Sequence, residues 1–183
     1  MSTSQPARLV RGHAGRALRQ VAGSTILPAK TIGTAGEQFF AYRALEEGLH
    51  VAQPLGDNLP YDLLVDSGKK IHRIQIKTST TKDRDGNNNS RSRYSFILKR
   101  GANSEIYKAG SIDFFALVVL PLHTIYIVPY GIIGGRTKCT VYPENPDSIG
   151  RLERFSEAWN LLQSGSKCGS NGIYAHQRLG TAY

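Results

Sequence analysis

Two cysteines in 183 residues, Cys139 and Cys168, stand far apart with no metal-ligand spacing around either. Nothing demands a disulfide, and a reducing, cytoplasmic setting is the expectation. No apolar run is long enough to cross a bilayer. No P-loop, dinucleotide fingerprint, zinc spacing or internal repeat occurs, which removes the common nucleotide-cradling and solenoid classes. No Ser-His-Asp grouping is visible, and nothing reads as a helix-turn-helix.

Acidic residues are scarce: 14 Asp and Glu face 23 Lys and Arg, a net charge of +9, with a pI near 9.7. So basic a small chain suggests a polyanionic partner, most often nucleic acid, against the plain alternative of solubility. The acids are also unevenly placed. Residues 1–30 carry Arg8, Arg11, Arg16, Arg19 and Lys30 and no acid. Residues 31–68 carry Glu37, Glu46, Glu47, Asp57, Asp62 and Asp66 against Arg43 alone. Residues 69–108 return to eleven Lys and Arg against Asp83, Asp85 and Glu105. An acidic block between basic ones suits a metal site facing a phosphate backbone, though solvated charge runs give the same counts.

What is present centres on residues 60–79, PYDLLVDSGKKIHRIQIKTS. Near-alternation of apolar and polar residues predicts strands over Tyr61–Asp66 and Ile71–Thr78, joined by a Ser67-Gly68-Lys69-Lys70 turn. Folding back on that turn sets Asp62 opposite the Gln75–Lys77 end, and Gln75 and Lys77 share a face. One carboxylate, one amide and one ammonium then converge. Asp62 suits Mg²⁺, Gln75 offers a neutral oxygen, and Lys77 can stabilise phosphate charge or orient water. Such a trio also arises on hairpins by chance.

Upstream, GEQFFAYRALEEG reads as a helix carrying Glu37 in its first turn, with Thr31 or Thr34 as N-cap. A capping acid favoured by the macrodipole is the structural explanation for Glu37. Phe39, Phe40, Tyr42, Ala44, Leu45 and Leu49 form its expected buried side, and Gly48 ends it. Downstream, TSTTKDRDGNNNSRSRY reads as a long loop or an extended hairpin tip whose Lys82, Arg84, Arg91 and Arg93 suit phosphate contact, against a plain solvated excursion. Tyr94–Lys99 reads as a strand, Ser111–Leu120 as a central strand covered on both faces, and His123–Pro129 as its partner. Arg151–Gln163 reads as an amphipathic helix with Leu152, Phe155, Trp159 and Leu162 inward. Asp113 reads as structural, and Asp57 and Asp66 as turn residues.

The order of helix with an acid, strand with an Asp, hairpin, and strand ending in a polar-x-Lys resembles the core of the PD-(D/E)XK nuclease superfamily. Pro60-Tyr61-Asp62 stands where that family keeps "PD", with one residue inserted, Gln75-Ile76-Lys77 where it keeps "(D/E)xK", and Glu37 matches its helical acid. The likeness covers about residues 31–130. It is most similar to the group that includes intron-encoded homing endonucleases, where a Q-x-K variant is tolerated. Archaeal-type Holliday-junction resolvases share the element order. The resemblance implies an α/β, restriction-endonuclease-like core, a mixed, mostly antiparallel sheet flanked by α-helices. It implies a Mg²⁺-dependent endonuclease acting on double-stranded DNA, with Mn²⁺ able to substitute. Asp62 would bind the metal, Gln75 or the Ile76 carbonyl would complete the protein shell, and Glu37 would support the metal or its water. Lys77 would sit at the scissile phosphate. Gln75 replaces an acid, which weakens metal binding and favours one metal over two. It also keeps a catalytically inactive DNA-binding module in view, beside the resolvase reading. Cutting both strands implies a homodimer or homotetramer. The expected organisation is a basic flexible arm (1–30), the nuclease-like domain (31–163) and a loose tail (164–183). The Arg-rich, Ser-containing arm also resembles an organellar transit peptide.

Overall fold

A four-residue turn with Gly68 at φ +76° folds the central hairpin back on itself. Asp66 Oδ1 accepts the Gly68 N–H at 2.7 Å and Ser67 N–H donates to Lys70 O at 3.1 Å, so the turn carries its own bonds. The computed structural model describes residues 27–56, 58–83, 92–101, 104–145 and 151–163. The expectations for residues 1–26, Asp57, Arg84, Arg91, Cys168 and the tail lie outside the described residues.

In chain order the elements are α1 (Ala29–Glu46), β1 (His50–Ala52), β2 (Leu63–Asp66), β3 (Ile71–Ser79), β4 (Tyr94–Ile97), β5 (Lys99–Arg100), β6 (Glu105–Ile106), β7 (Phe114–Val119), β8 (Thr124–Pro129), α2 (Tyr130–Ile133), β9 (Lys138–Val141) and α3 (Asn160–Gln163). Five strands form one sheet in the order β1-β2-β3-β7-β8. Neighbours run antiparallel except β3 and β7, which are parallel because a long crossover lies between them. The fold is the mixed α/β, restriction-endonuclease-like architecture. β4 pairs with β9, and β5 with β6, as two small separate ladders.

Side-chain alternation divides the core. On one face Ile74, Ile76, Ala116, Val118, Ile125 and Ile127 meet Phe40 and Ala44 of α1, with Trp159 and Leu162. On the other, Phe115, Leu117, Val119 and Val128 meet Tyr94 and Phe96 of β4 and Val141 of β9. Each such buried apolar side chain contributes roughly 1.5–3 kcal/mol relative to exposure. β7 is buried along nearly its whole length, as its continuous apolar run predicts.

Four local expectations are corrected. α1 starts at Ala29 behind Pro28, whose fixed φ (−57°) and missing N–H suit a helix entrance. Thr31 and Thr34 therefore lie inside the helix, there is no capping box, and Glu37 sits in the third turn. No acid stands in the first turn, so the macrodipole does not account for Glu37. Tyr42 and Leu45 are 56% and 59% exposed; the buried stripe is Gly36, Phe40 and Ala44. The helix does end at Gly48 (φ +74°), where Gly48 N–H bonds Leu45 O and Leu49 N–H bonds Ala44 O, the Schellman pattern. Tyr94–Lys99 is divided between two ladders: Leu98 N–H still donates to Thr137 O in the β4–β9 register, and Lys99 opens β5 against β6.

The fourth correction is the largest. Arg151–Gln163 is a strap rather than one helix: a 3₁₀ turn at Glu153–Phe155, a bridge from Ser156 to Tyr126, and short α3. Its four apolar residues are all buried, but Leu152 and Phe155 join one face's core and Trp159 and Leu162 the other's. Glu157, at φ +50°, pins the crossing. Its main chain donates to Ile125 O, and its carboxylate accepts from Ile125 N–H, Arg43 and the Trp159 indole. That bonding to β8 outweighs helical propensity.

Candidate functional site

Asp62 stands one residue before β2, and its N–H donates to Ile74 O at 2.9 Å. Leu63 pairs with Ile74, so the hairpin register sets Asp62 across from Gln75. Beyond that point β2 no longer covers the edge of β3, and the Asp62 side chain takes its place. Oδ2 accepts the Ile76 N–H at 2.7 Å and the Gln75 Nε2–H at 2.6 Å. The same Nε2 donates to Ile76 O at 3.2 Å. Carboxylate, amide and main-chain carbonyl thus meet within one hydrogen-bond length. Gln75 is 7% exposed, and a buried amide without such partners would be costly.

Lys77, two residues on, points from the same face. Its Nζ donates to the Lys99 carbonyl at 3.1 Å and lies 5.4 Å from the centre of the Tyr107 ring. Burial pushes the Lys77 ammonium below its ordinary pKa, with Asp62 opposing. Burial likewise pushes Asp62 up, against the Ile76 N–H, Lys77 and Gln75. For both groups desolvation outweighs their mutual attraction, so each remains short of opposite charge. Asp62 is under-supplied with positive charge and Lys77 with negative. Burial, reinforced by Asp62, also raises Tyr107.

The backbone of α1 approaches β3 next to Lys77 from the sheet's other face. α1 touches the strand where a Cβ on Gly36 would lie 1.9 Å from Thr78 Oγ1, an approach only glycine permits. Glu37, half-buried, follows that contact by one residue, and Thr78 follows Lys77 by one.

The donors fit a hard divalent cation. Among the described residues both hydrogen bonds to Asp62 fall on Oδ2, leaving Oδ1 for a ligand. A half-turn of the Gln75 amide exchanges Nε2 for Oε1, and the three groups then present only oxygen, the donor set Mg²⁺ takes. Among the described residues no group of three or more His, Cys, Asp or Glu that could hold a metal ion occurs, so Asp62 is the one carboxylate of this donor set. Cys139 is buried, which pushes its thiol up to about 12 and makes it a poor nucleophile.

Of the residues expected to contact phosphate, Lys82 and Arg93 are described, and each is paired with an acid. Lys82 pairs with Glu144 at 2.6 Å and Arg93 with Asp83 at 3.4 Å, while Asp83 N–H donates to Arg93 O at the base of the intervening loop. Lys99 and Tyr107 were not predicted from sequence. A main-chain carbonyl leaves no sequence signal, and Tyr107 follows a two-residue strand too short to announce itself. Among the described residues no helix is long and apolar enough to cross a membrane.

A family model described as PD-(D/E)XK endonuclease matches residues 27–161. A solved structure, that of the bacterial homing endonuclease I-Ssp6803I, is similar with a TM-score of 0.62 and 25% identity, covering 75% of this chain and 93% of that one. No curated protein matches the sequence.

Proposed function

This chain belongs to the PD-(D/E)XK endonuclease family, and on that premise we propose a divalent-metal-dependent, homing-type endonuclease hydrolysing phosphodiester bonds in double-stranded DNA. The observation that carries this reading is the meeting of Asp62, Gln75 and the Ile76 carbonyl beside a half-buried Lys77.

Asp62, with Gln75 Oε1 or the Ile76 carbonyl, would hold Mg²⁺ or Mn²⁺. A divalent ion there supplies Lewis-acid stabilisation of phosphate charge and acidifies water. Lys77 brings its uncompensated ammonium to a non-bridging phosphate oxygen, where negative charge grows as water attacks phosphorus. Glu37 orients water from the helix side. Lys82, Arg84, Arg91 and Arg93 contact neighbouring phosphates, and two or four copies of the chain supply one site per strand.

Supercoiled plasmid tests the reading. With Mg²⁺ or Mn²⁺ the wild type should nick and then linearise DNA, and EDTA should stop it. Asp62→Ala and Lys77→Ala should each lose about a hundredfold or more in rate. Cleavage indifferent to both substitutions overturns the mechanism. A four-way junction run in parallel separates a resolvase, which would prefer it. One feature favours a silent DNA-binding module instead: a neutral Gln75 amide, donating to Asp62 and to Ile76 O, stands where the family pattern has an acid. That alternative predicts salt-dependent DNA binding that survives EDTA and no cleavage with either metal.

A further inference from the structure

Lys77 is held by a separate small structure, the hairpin of β5 and β6. Lys99 pairs with Ile106 and Arg100 with Glu105; Lys99 supplies the carbonyl that accepts from Lys77 Nζ. Tyr107 follows β6 directly, and its ring lies 5.4 Å from that Nζ. The ring is itself aimed. Tyr107 packs edge-on to Phe115 at 5.4 Å, and its main-chain oxygen accepts the Tyr130 hydroxyl at 2.7 Å. The same hairpin reaches the loop before Asp62, where Arg100 Nη2 donates to Asn58 O at 2.6 Å.

We propose that Tyr107 is the positioning residue for Lys77, its π face holding the ammonium over the site. The inference rests on Lys77 serving phosphate hydrolysis as proposed above. An ammonium has three N–H donors, and an acidic partner would fix it most firmly. That partner would also cancel the charge the phosphate needs. A neutral carbonyl and the negative face of an aromatic ring hold a cation in place while leaving its charge intact. Tyr107 touches neither Asp62 nor Gln75 through a hydrogen bond among the described residues, so it acts through Lys77.

The test replaces Tyr107 by Phe, by Leu, and by phenylalanines of increasing ring fluorination, which drain the π face at nearly constant volume. Three quantities are read: single-turnover cleavage rate at saturating protein, DNA affinity, and the NMR shift of the Lys77 ε-CH₂ protons. Protons beside an aromatic face carry a ring-current displacement, which is read without DNA or metal. Tyr107→Phe should cleave within about twofold of wild type and keep the displacement. Tyr107→Leu should lose the displacement and cleave about tenfold more slowly, with DNA affinity unchanged. Fluorination should slow cleavage stepwise. Should Tyr107→Leu fail to fold, the fluorinated series decides alone. Wild-type cleavage with rates indifferent to fluorination overturns the positioning role and leaves the nuclease reading standing. A wild type that never cuts, with the displacement intact, overturns the nuclease reading and the positioning role with it.

Discussion

β3 carries two carboxylate attachments, at Arg73 and at Ile76, and they are built in opposite ways. At its start Asp113 receives the Arg73 main-chain N–H at 2.8 Å and two guanidinium contacts at 3.0 and 3.1 Å. Burial pushes Asp113 up, but those Arg73 bonds more than reverse it and hold the carboxyl below its ordinary range. At Gln75 and Ile76, mid-strand, Asp62 receives an amide and a main-chain N–H, no guanidinium among the described residues, and is held above that range. The first acid is charge-balanced and ties β7 to β3. The second is left wanting a cation. A fold with abundant arginine places none against the Asp62 carboxylate among the described residues, the arrangement that the proposed metal-binding role of Asp62 calls for.

The sharpest break in the comparison exchanges each acid for its amide. Asp62→Asn should lose about a hundredfold or more of cleavage yet melt no lower than wild type, since an Asn oxygen can accept both bonds now on Oδ2. Asp113→Asn should do the reverse, keeping the chemistry but losing about 2 kcal/mol of stability. That figure is modest because Arg73 is 36% exposed. Denaturation of both variants beside wild type checks the pair.

Acidity sharpens the same contrast. A carboxyl depressed in the folded state, as Asp113 is, stabilises above its unfolded pKa of about 4 and loses that contribution as pH falls through its folded value. A carboxyl raised in the folded state, as Asp62 is, takes up its proton first when folded, so acidification favours the fold at that site. In EDTA, melting from pH 7 downward should therefore show the wild-type advantage over Asp113→Asn shrinking. Wild type should gain on Asp62→Asn over the same range.

A smaller effect tests the helix layer. Gly36→Ala would drive a methyl into the stiff, β-branched Thr78. It should cost about 1–3 kcal/mol and slow cleavage by moving Glu37 relative to Lys77. Adding Thr78→Ala should return part of both. Smallest is Lys82→Ala. Its exposed pair with Glu144 should leave the melting temperature nearly unchanged when removed, while phosphate contact predicts a log-affinity against log-salt slope shallower by about 1.

The hairpin and its register were legible because period-two alternation and a Ser-Gly-Lys-Lys turn leave one pairing, and that pairing aligns Asp62 with Gln75. β7 was legible because only a strand covered on both sides needs so continuous an apolar run. The strap was not. Leu152, Phe155, Trp159 and Leu162 recur at helical spacing, yet they serve two opposite faces because Glu157 finds Ile125. Nor was the hairpin that holds Lys77, because two-residue strands and a main-chain acceptor carry no pattern. Local periodicity reports what a segment hides from water. It does not report which side of a sheet does the hiding.

That strap has a consequence for biosynthesis. Until Trp159 has left the ribosome, β8 is an unfinished border with bare amides, and Ile125 and Phe40 lack their cover. The sheet can assemble earlier, but its last margin closes late, so nascent chains stalled before residue 151 should be the form most in need of a chaperone.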